Sequence, residues 1–119
     1  MSQIKIYHNP KCSSSRNALA LLREHGYEPE IVLYLETPPT REELQAIIGA
    51  TSGSARALMR SKESIYSELE LDHPKLTEDA LIDAMLAHPI LMNRPIVITQ
   101  KGTRLCRPPE LVLEILPQS

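Results

Sequence analysis

Hydrophobic and polar positions along the chain switch between two periods. Ile4 and Ile6 alternate with Lys5 and Tyr7, and this period of two predicts a short strand over 3–7. His8-Asn9-Pro10-Lys11 breaks it, and Ser13, Ser14 and Ser15 follow as good helix starters. Ala18, Leu19 and Leu22 then recur at helical spacing, with Gly26 as the stop. The run Ile31-Val32-Leu33-Tyr34-Leu35 predicts a buried strand by its length and β-branching. Two strands around one helix form a βαβ unit, whose strands are parallel.

Beyond Pro38-Pro39 the period lengthens. Thr40 and Glu43 have capping-box spacing ahead of Leu44, Ile47 and Ile48. Residues 54–60 predict a further short helix. Thr77 starts another, with Glu78 and Asp79 in its first turn and Leu81, Ile82, Met85 and Leu86 as its apolar face. Strand character returns at Pro95-Ile96-Val97-Ile98. A turn at Gln100-Lys101-Gly102 folds Thr103-Arg104-Leu105-Cys106 back as a hairpin. Pro108-Pro109 opens a last helix, with Leu111, Val112, Ile115 and Leu116 on its buried side. The order is β-α-β, helices, β-β-α. It fits an α/β chain: a thioredoxin-like mixed sheet with an inserted helical block, in one domain over 1–119.

Composition narrows the picture. The 119 residues are 42% hydrophobic with no Trp, no Phe and four Tyr, so the core must be aliphatic. A net charge of −2 argues against a nucleic-acid surface, which needs clustered excess Lys and Arg. No apolar run approaches the roughly 18 residues of a membrane span. Met1-Ser2-Gln3-Ile4-Lys5 lacks the order of a signal peptide. The expectation is a soluble, cytoplasmic monomer. Two cysteines, Cys12 and Cys106, are too few for a disulfide scaffold. His25, His73 and His88 have no ligand spacing with them, so no metal is expected.

Cys12 falls where a strand gives way to a helix. Unpaired N–H groups and the positive end of the helix dipole favour a thiolate there. A free cysteine has a pKa of about 8.5, and such sites lower it to roughly 3.5–7.5. His8, Ser15 and Arg16 are candidates to orient or support that thiolate, as is Lys11. The competing reading is a small, buried, inert side chain. Two other readings fail on spacing. Cys12-Ser13-Ser14-Ser15 lacks the second cysteine of a C-x-x-C redox pair. Arg16 follows Cys12 after three residues, where the cysteine phosphatase signature has five. Arg60, Arg94 and Arg107 each stand near the end of a predicted element. Such ends converge on one edge of many α/β sheets, and forked guanidinium donors suit tetrahedral oxyanions. Taken singly, each reads equally as a solvated surface charge. Arg94-Pro95 leads into a strand, where local sequence alone favours an ordinary trans bond.

The stretch His8-Asn9-Pro10-Lys11-Cys12-Ser13-Ser14-Ser15-Arg16 resembles the H-N-P-x-C-x-x-S-R signature of the glutaredoxin-dependent arsenate reductases. Segments 33–36, 56–60, 88–97 and 102–108 resemble later family segments in the same order. Ser13-Ser14 departs from the Gly-Thr common after the family's cysteine. The resemblance implies a thioredoxin-like fold with Cys12 as the catalytic nucleophile, assisted by His8. It implies arsenate as substrate, bound by Arg60, Arg94 and Arg107, and a cis Arg94-Pro95 bond. It also implies glutathione as co-substrate, glutaredoxin as partner and no tightly bound cofactor. Cys106 reads either as a resolving thiol for Cys12 or, the favoured expectation, as a packed strand residue, since glutathione can supply the second thiol. The alternative is a non-catalytic thioredoxin-fold module that binds a regulatory partner.

Overall fold

A computed structural model describes residues 4–51 and 53–116. Gln3, the first residue of the predicted opening strand, and Ser119 lie outside the described residues. Four strands form one sheet in the order β2-β1-β3-β4. β1 (Lys5–Tyr7) pairs in parallel with β2 (Glu30–Val32) and antiparallel with β3 (Ile96–Thr99). β3 turns back into β4 (Gly102–Leu105) as the hairpin. Gly102 carries that turn with φ +145, a conformation that a residue with Cβ avoids.

The second strand corrects the sequence expectation. It ends at Val32 rather than reaching residue 35, because the Leu33 carbonyl accepts hydrogen bonds from the Glu36 and Thr37 N–H groups at 2.9 and 2.8 Å. Those bonds curl the chain into a turn. β2 is also an edge strand, so Ile31 stays 37% exposed instead of buried. Tyr34, in the turn, takes the buried place.

Contacts divide the chain into two compact units, one reaching to Thr37 and resuming at Arg94, the other Pro38–Asn93. In the sheet unit, α1 (Ser13–Glu24) buries Ala18, Leu19 and Leu22 against Ile4, Ile6 and Val97. Cys106, Val112 and Ile115 complete that core. The closing segment Pro109–Ile115 is a 3₁₀-helix, not the expected α-helix. Its apolar residues Val112 and Ile115 stand three apart, which is one turn of a 3₁₀ repeat, so the tighter winding still buries both.

The helical unit comprises α2 (Arg41–Thr51), α3 (Ala55–Leu58), α4 (Ser64–Glu68), α5 (Glu78–Ala87) and a 3₁₀ turn at Pro89–Leu91. The capping box forms as the spacing predicts. The Thr40 N–H donates to Glu43 Oε1 at 2.9 Å and the Glu43 N–H donates to Thr40 Oγ1 at 3.1 Å. Thr77 caps α5 by accepting from the Ala80 N–H at 3.1 Å. Leu44, Ile47, Ile48, Leu58, Leu81, Ile82, Met85 and Leu91 are its buried centre. No helix among the described residues is long and apolar enough to cross a membrane.

Candidate active site

The loop between β1 and α1 is fixed by its own polar groups. The His8 N–H donates to the Val32 carbonyl at 2.9 Å, carrying the β1–β2 pairing one residue further. The side chain of Asn9 accepts from the Lys11 N–H at 3.0 Å, and its carbonyl accepts from the Cys12 N–H at 3.0 Å. These bonds make a tight Asx-type turn around Pro10. Arg16 reaches back from the helix and donates from Nη1 to the Pro10 carbonyl at 2.8 Å.

Ser15 is the hub beneath this turn. It is fully buried, and its Oγ accepts from the Asn9 N–H at 3.0 Å and lies 2.6 Å from His8 Nδ1. A hydroxyl that accepts from Asn9 and donates to Nδ1 satisfies all three groups, and it leaves the ring proton of His8 on Nε2. Burial first, then the charges of Arg23 and Arg16, lower the pKa of His8 below its ordinary value. The imidazole is therefore neutral at pH 7, and its bond goes to Ser15 rather than to Cys12. Through that contact the ring ties β1 to the first turn of α1.

Cys12 occupies the N-cap of α1 with φ −97 and ψ 124, just outside the helix. Its carbonyl accepts the first helical bond, from the Arg16 N–H at 3.0 Å. The Sγ makes no cap hydrogen bond of regular geometry, yet the N–H groups of Ser15 and Ser14 face it. Burial alone pushes the thiol pKa up. The Ser15 N–H, the Arg94 guanidinium and the Ser14 N–H outweigh that, and the net shift is below the ordinary thiol value. α1 has no acidic residue in its first turn to oppose the thiolate.

Arg94 and Arg107 come to this sulfur from the other side of the chain. Arg94 is only 8% exposed and sits before a cis Arg94-Pro95 bond. The bond is cis as the resemblance implies, against the local preference for trans; Arg107-Pro108 is cis as well. Arg107 Nη1 donates to the Arg94 carbonyl at 3.1 Å and lies 3.8 Å from Cys12 Sγ. Two guanidinium groups and a thiol of lowered pKa thus stand together in the sheet unit. Such a set can bind a tetrahedral oxyanion and present a nucleophile to its central atom.

The ArsC family matches residues 7–115 of this sequence. The chain belongs to the ArsC family. It is 59% identical over 119 residues to the arsenate reductase of Escherichia coli strain K12, across 100% of this chain and 84% of that one. It is 56% identical over 117 residues to the uncharacterized protein YfgD of the same organism, across 96% of this chain and 97% of that one. Among solved structures, an arsenate reductase from Vibrio cholerae superposes with a TM-score of 0.91 at 50% identity, covering 96% of this chain and 98% of that one. The α/β architecture is the thioredoxin-like sheet of these ArsC structures, as the order of elements predicts.

The remaining ArsC residues fall into place unequally. Arg60 belongs to the helical unit, where its Nε donates to Glu63 Oε2 at 3.1 Å. Cys106 is fully buried, and burial pushes its thiol up to about 12, so it stays protonated. Among the described residues, no three His, Cys, Asp or Glu side chains gather to hold a metal ion. Sequence reasoning did not single out Asn9 or Glu63. The N-P pair after a strand signals an Asx turn, and the spacing of Arg60 to Glu63 permits an i,i+3 ion pair, but neither pattern is specific.

Proposed function

We propose that this chain is an enzyme that reduces arsenate to arsenite, with Cys12 as the nucleophile. The observation that carries the reading is a cysteine at the N-cap position of α1 whose sulfur is approached by Arg94 and Arg107. Arg94 and Arg107 bind the oxyanion with its arsenic near Cys12; the same role for Arg60 rests on the family resemblance. The thiolate attacks arsenic(V), an oxygen leaves as water, and a Cys12–S–As bond forms. Glutathione attacks the adduct, and glutaredoxin resolves the resulting mixed disulfide. The two electrons come from thiol sulfur, and arsenic leaves as arsenite. His8, Ser15 and Arg16 hold the loop that keeps Cys12 at the helix start. Phosphate enters the same pocket, since guanidinium groups read shape and charge, but phosphorus does not accept the electrons. A cytoplasmic location goes with this reading, since glutathione and glutaredoxin work there.

The deciding experiment is a glutathione- and glutaredoxin-coupled arsenate assay on wild type beside Cys12→Ser. Turnover by the wild type and none by the variant are expected. Full turnover by Cys12→Ser would sink the reading. The alternative is a non-catalytic partner-binding module. It predicts no arsenate turnover and a Cys12 thiol that titrates near the free value of about 8.5.

A further inference from the structure

A cavity of about 490 Å³ opens beside the loop that carries Cys12, lined by His8, Pro10, Arg16, Leu19, Ala20 and Arg23. All six residues belong to the sheet unit. On α1 they stand three, four and seven places after Arg16, so they form one stripe of the helix. Cys12 stands four places before Arg16, at the head of the same stripe.

The polar groups of this cavity are unequally occupied. Arg16 donates from Nη1 to the Pro10 carbonyl at 2.8 Å, and its Nε and Nη2 groups meet no acceptor among the described residues. Arg23 gives Nε and Nη2 to the Glu28 carboxylate at 3.1 and 2.9 Å, which offsets one positive charge. His8 is neutral and buried, and with Nδ1 turned to Ser15 the polar group it offers a ligand is Nε2–H. The lining thus keeps one uncompensated cation, Arg16, next to the apolar surface of Pro10, Leu19 and Ala20. An inorganic oxyanion would leave most of that space empty. The volume suits a small organic ligand, and the charge selects an anion.

We infer that this cavity seats glutathione, with a carboxylate of the tripeptide on Arg16 and a peptide carbonyl accepting from His8 Nε2. The inference deepens the proposed reaction and rests on it for the identity of the thiol. The charges agree, since two carboxylates and one ammonium leave glutathione a net anion. The reach agrees as well. One helical turn, about 5.4 Å, separates Arg16 from Cys12. An extended tripeptide spans roughly 10 Å, so glutathione anchored at Arg16 can bring its thiol to Cys12. The oxyanion keeps Arg94 and Arg107, so the two anions draw on separate cations.

Ala20 is exposed and has no part in the chemistry at Cys12, so its substitution probes the cavity. In the coupled arsenate assay with glutaredoxin in excess, Ala20→Glu should raise the KM for glutathione about threefold and Ala20→Lys should lower it about twofold. The KM for arsenate and kcat at saturating glutathione should stay as they are. S-methylglutathione, whose sulfur cannot attack, should shift the backbone amides of residues 16–23 in an NMR titration of the wild type. Amides that do not move overturn the inference, as do Ala20 variants whose glutathione KM is unchanged or shifts in one direction only. Shifts in the KM for glutaredoxin alone would mean that a protein occupies the cavity, and overturn it too. The titration decides alone should either variant lose its cooperative melt. If the wild type turns over no arsenate, the proposed reaction fails and this inference with it. Turnover with an unmoved glutathione KM sinks the inference and leaves the reaction standing.

Discussion

In the sheet unit Arg94 and Arg107 face a sulfur; in the helical unit Arg41 and Arg56 face carboxylates and carbonyls. Arg94 bears on the Cys12 thiol, and Arg107 lies between that sulfur and the Arg94 carbonyl. In the helical unit Arg41 pairs with Asp79 and Asp83 and so ties α2 to α5. Arg56 donates to Tyr66 Oη, the Leu71 carbonyl and the His73 carbonyl at 3.1, 2.7 and 2.9 Å. The same residue type thus does two jobs. A guanidinium saturated by permanent acceptors holds chain segments together. One set against a titratable sulfur changes that sulfur's chemistry, because the thiol gains from the cation only once its proton has gone.

The comparison can be broken most sharply at Arg94. Arg94→Ala should cut arsenate turnover by about a hundredfold or more, the usual cost of removing one preorganised donor. It should also raise the pH midpoint of Cys12 alkylation. The sign follows from the lowered thiol pKa: thiolate persists as pH falls until the folded pKa is passed, and losing the cation moves that point upward. An unchanged midpoint would mean that the helix N-terminus alone activates the sulfur. Next in size, Arg56→Ala should lower unfolding free energy by about 2–3 kcal/mol in a denaturant melt, since three charge-assisted hydrogen bonds go. Its Cys12 midpoint should stay where it is; movement there would erase the distinction between the two uses of arginine. Smallest is Ser15→Ala, which strips a partner from the Asn9 N–H and from His8 Nδ1. A loss of about 1–2 kcal/mol is expected, with a modest rise in the alkylation midpoint as the loop loosens.

The same contrast governs what could be read from the amino-acid order. α1, the Thr40–Glu43 box, the Thr77 cap and the β3–β4 hairpin rest on neighbours in sequence, and they lie close to where the patterns place them. α4 was not legible, because it is five residues long and none of them is buried, so it has no apolar stripe. The early end of β2 depends on which strand sits at the sheet edge, a tertiary fact. At the site, the helix-start position of Cys12 follows from local sequence. The approach of Arg94 and Arg107 does not, since it is set by antiparallel pairing of strands some ninety residues away from β1. Their places at element ends made those two residues candidates, and the family resemblance set them apart from ordinary surface charges. The Nδ1 contact of His8 with Ser15 was likewise not legible in the sequence, where the two residues stand seven apart without a motif that pairs them.

Cys106, sealed in the core and protonated, leaves Cys12 without a ready internal partner. An exposed sulfenic acid is normally rescued by a neighbouring thiol that condenses with it. Here that rescue must come from outside. When soluble thiols run short, an oxidised Cys12 finds no ready thiol within its own chain, and further oxidation to the sulfinic acid competes more strongly. The fold therefore couples the lifetime of its active sulfur to the thiol supply of its surroundings.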